Sequence, residues 1–169
     1  MIKPKKLNKG DKIAIVSLSR GLLGMPFIKH ELDFVKRNNI AAIIKYKNEY
    51  LLLDYNNVNY SKSLVTGGIE QDEDMIDSVK REVIEETGYY DIGSIIPIDC
   101  INVSRFYVAH KNQNREATYY PFLVTLNSKN KIDITEDEIK EHKCIWIDEK
   151  ELKDANIFEN HRKMIDAAK

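Results

Sequence analysis

Three glutamates in the middle of the chain have the spacing of a cation-binding face. Glu82, Glu85 and Glu86 are three and four residues apart, Arg81 precedes them, and Glu73 lies one loop upstream. Residues at these spacings share one face of a helix, where like charges repel by about 0.2–0.5 kcal/mol per pair. A helix with such a cluster either turns it to open water, as most charged helix faces do, or neutralises it with a cation.

A carboxylate cluster of this kind suits phosphoanhydride hydrolysis. That reaction needs divalent cations to neutralise charge and a base to activate water. Mg2+ prefers oxygen ligands, and three glutamates on a rigid helix supply them. The planar guanidinium of Arg81 can hold Glu73 in place and offset part of the negative charge. Gly67 and Gly68 allow a close approach of the backbone, which brings a main-chain carbonyl within reach of the metal.

The residues around the cluster predict the helix that must position it. Residues 74–87 carry apolar side chains on one side, and Gly88 suits the C-terminal end of a helix. Asp72 or Asp74 can cap the first turn. The apolar side consists of Met75, Ile76, Val79 and Val83.

Strand-like segments flank this helix on both sides. A hairpin is predicted around residues 47–49, and a tight turn at residues 127–130. The acidic stretch 133–141 is a loop or a short helix, and residues 158–168 predict a closing helix. Strands interleaved with helices predict an α/β fold, a mixed sheet with helices on both faces. The predicted strands are residues 41–46, 50–55, 95–108, 117–126 and 143–147.

The central segment resembles the signature of the Nudix hydrolases. That signature has Gly, five residues, Glu, seven residues, Arg-Glu, an aliphatic residue, one residue, Glu-Glu, one residue, Gly and an aliphatic residue. The last position departs from the pattern, because Tyr89 stands where an aliphatic residue is expected. The matching positions are Gly67, Glu73, Arg81, Glu82, Val83, Glu85, Glu86 and Gly88.

The resemblance implies a Nudix-type α/β/α sandwich that binds Mg2+ or Mn2+ and cleaves a nucleoside diphosphate linked to another moiety. It implies metal binding by Glu82, Glu85 and Glu86, with the carbonyl of Gly67 as a further ligand. Glu73 and Arg81 would orient these groups. The general base would be Glu82 or a glutamate on a later loop, Glu138 or Glu141. Since some proteins of this fold only bind ligands, a non-catalytic nucleotide- or RNA-binding module is the alternative.

The segment 106–115 is the predicted substrate-recognition region. It combines aromatic rings, cations and amides, which suit a nucleotide base and phosphates, although an ordinary polar hairpin has similar residues. Of Tyr119 and Tyr120, one should face the core and the other a pocket. His110 is a candidate for phosphate binding or for acid catalysis, although a lone loop histidine usually has neither role. His142 is expected at the surface. The predicted substrate-binding residues are Phe106, Lys111, Asn114, Arg115 and Tyr119.

Two further resemblances concern the segment that follows residue 40 and the N-terminal segment. Most of residues 40–162 are similar to the Nudix-like insert of some leucyl-tRNA synthetases. Residues 1–33 resemble the N-terminus of LD-carboxypeptidases, but Ser17 and Ser19 lack a base partner, so a serine peptidase is not expected. We therefore divide the chain into an appendage, residues 1–37, and a Nudix domain, residues 38–169.

The appendage is predicted to contain a strand at 13–16 and a helix carrying Phe27, Leu32 and Val35. Its apolar residues would pack on the core or mediate homodimer contacts. The strand is too short for a signal peptide or a membrane span.

The composition narrows the range of partners. The 169 residues include 43% hydrophobic and 31% charged residues, with a net charge of −1. No global field favours nucleic acid or an anionic membrane as a partner. The Nudix resemblance implies a small nucleotide-type substrate, with capped RNA left open. Cys100 and Cys144 lie in apolar segments without metal-site spacing. Buried free thiols in a reducing cytoplasm are therefore expected.

Overall fold

The computed structural model describes residues 34–55, 62–108, 111 and 113–169. The predicted strand at 13–16, most of the predicted helix after it, Ser17, Ser19 and His110 lie outside these residues. Val35, which was predicted to belong to that helix, lies in a strand. Within the described part of the chain, no helix is both long enough and apolar enough to cross a membrane.

One mixed sheet forms the centre of the fold, as the sequence predicted. Its strands are β1 (Phe34–Tyr46), β2 (Glu49–Tyr55), β3 (Val65–Gly68), β4 (Ile92–Pro97), β5 (Asn102–Val108), β6 (Gln113–Leu126) and β7 (His142–Asp148). The helices of the described residues are α1 (Met75–Thr87), α2 (Glu136–Glu141) and α3 (Glu159–Ala167).

The long strands β1 and β6 pair in parallel at the middle of the sheet. The strand order is β4-β6-β1-β2-β7, with β3 beside β1 and β5 beside β6. Phe34 pairs with Asn114 and Lys45 with Thr125, so almost the whole of β1 contacts β6. The predicted hairpin joins β1 to β2, and Lys47 adopts a positive φ of 53° in its turn.

Alternate residues of β1 face two separate cores. Ile40, Ala42 and Ile44 pack in a cluster with Val79 and Val83 of α1. Ala41 and Ile43 pack with Met164 and Ile165 of α3. Because successive side chains of a strand point to opposite faces, the buried run 40–44 serves both layers of the α/β/α sandwich.

The predicted strand 95–108 is wrong as a single element. It forms β4 and β5, which pair with the same edge of β6: Pro97 lies opposite Phe122, and Asn102 opposite Tyr119. Proline has no amide hydrogen and cannot continue the ladder of hydrogen bonds, so β4 ends there.

The boundary predicted between residues 37 and 38 does not interrupt β1. Residues 34–37, assigned to the appendage, pair with residues 114–117 of β6. Arg37 and Asn38 are exposed and have weak strand propensity, but the partner strand supplies hydrogen bonds along their whole length. The sheet therefore includes residues 34–37.

Candidate active site

Two caps fix the helix that carries the glutamates. The Asp74 side chain accepts a hydrogen bond from the Ile76 amide at 2.8 Å, and Gly88 ends the helix in the left-handed conformation with φ 77°. The sequence predicted both positions, and Asp74 rather than Asp72 is the cap. α1 packs on the sheet through Val79 and Val83, which places the glutamates at the end of β3.

Arg81 holds Glu73 with two hydrogen bonds. Its Nε donates to Glu73 Oε1 at 2.8 Å, and its Nη2 donates to Glu73 Oε2 at 3.0 Å. Nη2 also donates to the Gly68 carbonyl at 3.0 Å, which ties α1 to the end of β3. The hydrogen bonds from Arg81 are the largest cause that lowers the pKa of Glu73 to about 2. The two residues predicted to orient the site thus lie in direct contact.

The remaining nitrogen of Arg81 contacts two of the predicted metal ligands. Nη1 donates to Glu82 Oε1 at 2.6 Å and to Glu85 Oε2 at 3.2 Å. Glu82 is buried, which raises its pKa, and its carboxylate lies directly against Gly67. A Cβ atom at residue 67 would overlap that carboxylate, so the glycine is required for this close approach.

Glu86 has a buried carboxylate oxygen without a partner. Among the residues that the structure describes, none forms a hydrogen bond with its Oε2. Burial, followed by the negative charges of Glu82 and Glu138, raises the pKa of Glu86 to about 9. A buried carboxylate oxygen in such a site lowers the stability of the protein unless a cation or a proton compensates it.

The two later glutamates lie beside Glu86 on the short helix α2. The charges of Glu138 and Glu141 contribute to the raised pKa of Glu86. Glu138 is half-buried, and its Oε2 lies 3.6 Å from Nδ1 of His142. The expectation that His142 lies at the surface is wrong: it is 3% exposed, because its ring packs on Tyr55 and its Nε2 contacts the Glu86 carbonyl at 2.8 Å.

These side chains fit a hard divalent cation by their chemistry. In the described residues, no three Asp, Glu, His or Cys side chains converge closely enough to hold a metal ion. Glu82 and Glu85 are instead paired with Arg81, and they must turn from it to meet a cation. The donor atoms are all oxygens, as Mg2+ prefers, and the unpartnered Glu86 oxygen is one of them.

A cavity of about 560 Å3 lies beside the site, on the side of the sheet that α3 covers. Phe106 and Tyr119, two of the predicted substrate-binding residues, contribute to its wall. The other three do not: Lys111 is exposed, Asn114 is buried in β6, and Arg115 lies outside the cavity wall. Tyr119 lines the cavity and packs beneath α3, whereas Tyr120 packs toward the core beneath α1; the prediction placed one of the two at a pocket and the other at the core.

A family model for the NUDIX domain matches residues 36–168. The chain belongs to the Nudix family. The match covers the glutamate helix, the whole central sheet except its first two residues, and α3. It does not bear on the resemblance of the N-terminal segment to LD-carboxypeptidases or on the synthetase insert, which stay predictions.

Solved Nudix structures share this fold at low sequence identity. The E. coli dihydroneopterin triphosphate pyrophosphohydrolase is 19% identical, with a TM-score of 0.61 over 79% of this chain and 96% of its own. The NUDIX domain of Shewanella oneidensis NrtR, complexed with ADP ribose, is 16% identical, with 0.59 over 82% and 89%. A C. elegans Ap4A hydrolase is 15% identical, with 0.51 over 78% and 94%. A search of curated proteins gives no match to this chain.

The departure at Tyr89 from the Nudix signature has a structural explanation. Tyr89 is 7% exposed, and its hydroxyl accepts a hydrogen bond from Trp146 Nε1 at 2.9 Å. The two rings meet edge to face with centroids 5.5 Å apart. Tyr89 therefore occupies the aliphatic position of the signature as a buried residue and anchors β7.

Sequence reasoning missed the part of the cavity that α3 and β2 contribute. Phe158 and His161 at the start of α3, and Tyr55 at the end of β2, line it together with Phe106. The signal in the sequence was local: aromatic and polar residues, Phe158-Glu159-Asn160-His161, cluster at the first turn of the closing helix. Their place in the cavity depends on the packing of α3 against β5.

Proposed function

We propose that this Nudix protein is a Mg2+-dependent pyrophosphohydrolase, with Mn2+ as a substitute, that cleaves the diphosphate linkage of a nucleoside diphosphate derivative. The observation that carries the proposal is the buried, unpartnered oxygen of Glu86 beside Glu82 on a capped helix. A carboxylate kept there at a cost in stability is typical of a site that uses it.

The chemistry of the neighbouring structures supports this substrate class. They include a triphosphate pyrophosphohydrolase, a domain complexed with ADP ribose, and an Ap4A hydrolase. All three small molecules contain phosphoanhydride bonds. Because a likeness at this identity establishes the fold alone, the bond cleaved by this chain is a proposal that rests on its own carboxylates.

Each residue of the site has a task in the proposed reaction. Glu82, Glu85 and Glu86, with the Gly67 carbonyl, would hold the cation, which supplies charge neutralisation at the phosphates. Arg81 and Glu73 keep the end of β3 against α1 through the Gly68 contact. As Glu82 and Glu85 leave Arg81, its Nη1 becomes available to a phosphate oxygen.

A carboxylate near Glu86 takes the proton from the attacking water. The water oxygen forms a bond to one phosphorus, and the bond from that phosphorus to the bridging oxygen breaks, with its electron pair leaving on the second phosphate. Of the three predicted bases, Glu82 already accepts from Arg81, and Glu141 is exposed. We therefore assign the base to Glu138, which is half-buried and whose charge raises the pKa of Glu86 more than that of Glu141 does.

A substrate panel tests the proposal. Nucleoside triphosphates, dinucleoside polyphosphates, nucleotide sugars and capped RNA are incubated with the full chain in Mg2+, Mn2+ or EDTA, and phosphate products are measured. We expect metal-dependent turnover that falls at least about a hundredfold in Glu85→Gln, Glu86→Gln and Glu138→Gln. Glu136→Gln is the matched control, because Glu136 is an exposed carboxylate of α2 outside the site.

Three outcomes would contradict parts of the assignment. Binding of panel members without turnover in any metal would instead favour a non-catalytic nucleotide-binding module. Near-normal turnover in Glu85→Gln and Glu86→Gln would show that these carboxylates do not form the site. If Glu141→Gln lost more activity than Glu138→Gln, the base would be Glu141.

A further inference from the structure

The cavity beside the carboxylates has two exposed aromatic walls. Phe106 on β5 is 41% exposed, and Phe158 at the start of α3 is 40% exposed, although both are large apolar side chains. A hydrogen bond of 2.7 Å from Asn160 Nδ2 to Ser104 Oγ holds the first turn of α3 against β5. The two rings therefore stand on elements whose separation is fixed, as a stacking site for a planar group requires.

The wall of the cavity also contains a polar group without a well-formed hydrogen bond. Ser63 is 4% exposed and lines the cavity; among the described residues its buried Oγ makes no hydrogen bond of good geometry, although it interacts with the Tyr55 hydroxyl. Aromatic walls with a few polar groups are the usual composition of a small-molecule site, and the volume lies within the usual range of about 300–1,000 Å3.

The contacts of His161 fix which of its two ring nitrogens carries the proton and can donate a hydrogen bond. Its Nδ1 accepts a hydrogen bond from the Leu64 amide at 3.0 Å. Burial lowers the pKa of His161 to about 4, so the ring is neutral at physiological pH and its single proton is on Nε2. The edges of Tyr119 and Phe158 pack on the ring, with centroids 6.4 and 5.7 Å away. Among the described residues, Nε2 has no hydrogen-bond partner, and it lies on the side of the ring away from Leu64.

Tyr55 connects this cavity to the carboxylates. It lines the cavity at the end of β2, and Thr66, another wall residue, directly precedes Gly67. Burial is the main cause of the raised pKa of Tyr55, about 12, and the charges of Glu86, Glu141 and Glu138 add to it. One molecule can therefore place a planar group in the cavity and its phosphates at the carboxylates.

We propose that His161 is a specificity-determining residue that reads the base of the substrate. The base stacks on Phe106 and Phe158, and an acceptor atom on its edge takes the hydrogen bond from His161 Nε2. Ser63 Oγ supplies a second polar contact. This inference rests on the proposed function for its substrate class, nucleoside diphosphate derivatives, but its binding step requires neither metal nor hydrolysis.

One substitution separates base reading from the structural role of His161. In His161→Asn, the side-chain oxygen can still accept from the Leu64 amide, whereas no donor reaches the position of Nε2. His161→Phe loses both contacts. Asp166→Asn is the matched control, because Asp166 is an exposed residue of α3 that lies outside the cavity.

The experiment measures binding of AMP, GMP, CMP and UMP to the full chain in EDTA by calorimetry. We expect at least one nucleotide to bind and His161→Asn to weaken it about tenfold, the loss of one hydrogen bond. With substrate and metal, KM rises about tenfold while kcat stays within twofold. Deaza analogues of the preferred base identify the acceptor atom: the analogue that lacks it binds wild type and His161→Asn equally.

The outcomes distinguish this inference from the proposed function. Unchanged affinity and KM in His161→Asn, or no binding of any nucleotide, would overturn the role of His161 and leave metal-dependent hydrolysis standing. Nucleotide binding that weakens in His161→Asn, in a protein without turnover, would support the role of His161 and reject the hydrolase.

Discussion

Arg81 contacts both oxygens of Glu73, at 2.8 and 3.0 Å, across the loop that joins β3 to α1. The same guanidinium reaches the Gly68 carbonyl, Glu82 and Glu85. Because the Arg81 side chain has these four partners, it sets the orientation of the carboxylates. Glu73 in turn keeps two nitrogens of Arg81 away from the predicted metal ligands.

Glu73→Gln tests this positioning role. The neutral amide has only one oxygen and cannot accept hydrogen bonds from both Nε and Nη2 of Arg81 in the way the carboxylate does. Arg81 then pairs more strongly with Glu82 and Glu85 and competes with a cation for them. We expect the Mg2+ concentration for half-maximal activity to rise about 10- to 100-fold, as for the loss of a residue that orients metal ligands. Asp77→Asn is the control, because Asp77 is an exposed carboxylate of α1 that pairs with Lys80. Equal Mg2+ dependence in Glu73→Gln and wild type would reject the role.

Glu86→Gln should stabilise the metal-free protein and abolish its activity. Because the pKa of Glu86 is about 9, its buried carboxyl must take up a proton when the metal-free protein folds at neutral pH, and Gln removes this cost. We therefore expect the metal-free protein to gain about 0.5–2 kcal/mol in the free energy of unfolding. The same change should abolish the rise in melting temperature that Mg2+ or Mn2+ gives the wild type. Thermal unfolding in EDTA and in metal measures both effects. A variant that is less stable in EDTA would show that the carboxylate supports the fold.

The lowered pKa of His161 predicts that the protein loses stability in mild acid. Its pKa is about 4 in the folded protein against about 6.5 unfolded, so between these values the unfolded chain binds more protons. Stability therefore falls as pH drops from about 6.5 toward 4, by up to about 3 kcal/mol from this group. Urea unfolding at pH 7.5, 6, 5 and 4.5 measures the slope. His161→Asn, which cannot titrate, should show a flatter profile, and an unchanged profile would assign the acid sensitivity to other groups.

The pair of Tyr89 and Trp146 gives a stability prediction for the position that departs from the Nudix signature. Tyr89→Phe leaves Trp146 Nε1 without its acceptor and should cost about 1 kcal/mol. Tyr89→Leu restores the aliphatic residue of the signature but also loses ring packing, so it should cost about 2 kcal/mol or more. The single tryptophan reports unfolding in urea by its fluorescence. Tyr90→Phe, an exposed neighbour, should stay within about 0.5 kcal/mol of wild type, and a stabilised Tyr89→Leu would contradict the explanation.

The sequence predicted the elements that depend on near neighbours. α1 ends where Gly88 predicts, and Asp74 caps it, because a helix and its caps are formed by residues a few positions apart. The mixed sheet followed from the alternation of strands and helices. The cavity could not be predicted, since Tyr55, Phe106 and His161 are about fifty residues apart and meet only through strand pairing and the packing of α3. The boundary predicted after residue 37 falls where local strand propensity is weak, and the pairing of β1 with β6 overrides that propensity.

Two truncations test where the Nudix domain begins. Residues 34–37 pair with residues 114–117, and Arg105 stacks on the ring of Phe34 with its guanidinium carbon 5.1 Å from the centroid. We expect residues 34–169 to be more stable than residues 38–169 by about 1–3 kcal/mol in urea unfolding, because the shorter chain loses this pairing and the cation–π contact.

The same two proteins also test the predicted role of the preceding residues in dimer contacts. Light scattering compares their masses with that of the full chain: a dimer that becomes a monomer without residues 1–33 supports that role. Phe34→Ala in the full chain is the matched control for the end of the sheet, and it should reproduce part of the stability loss without changing the mass. Equal stability of the two truncations would place the start of the domain after Arg37, as the sequence alone predicted.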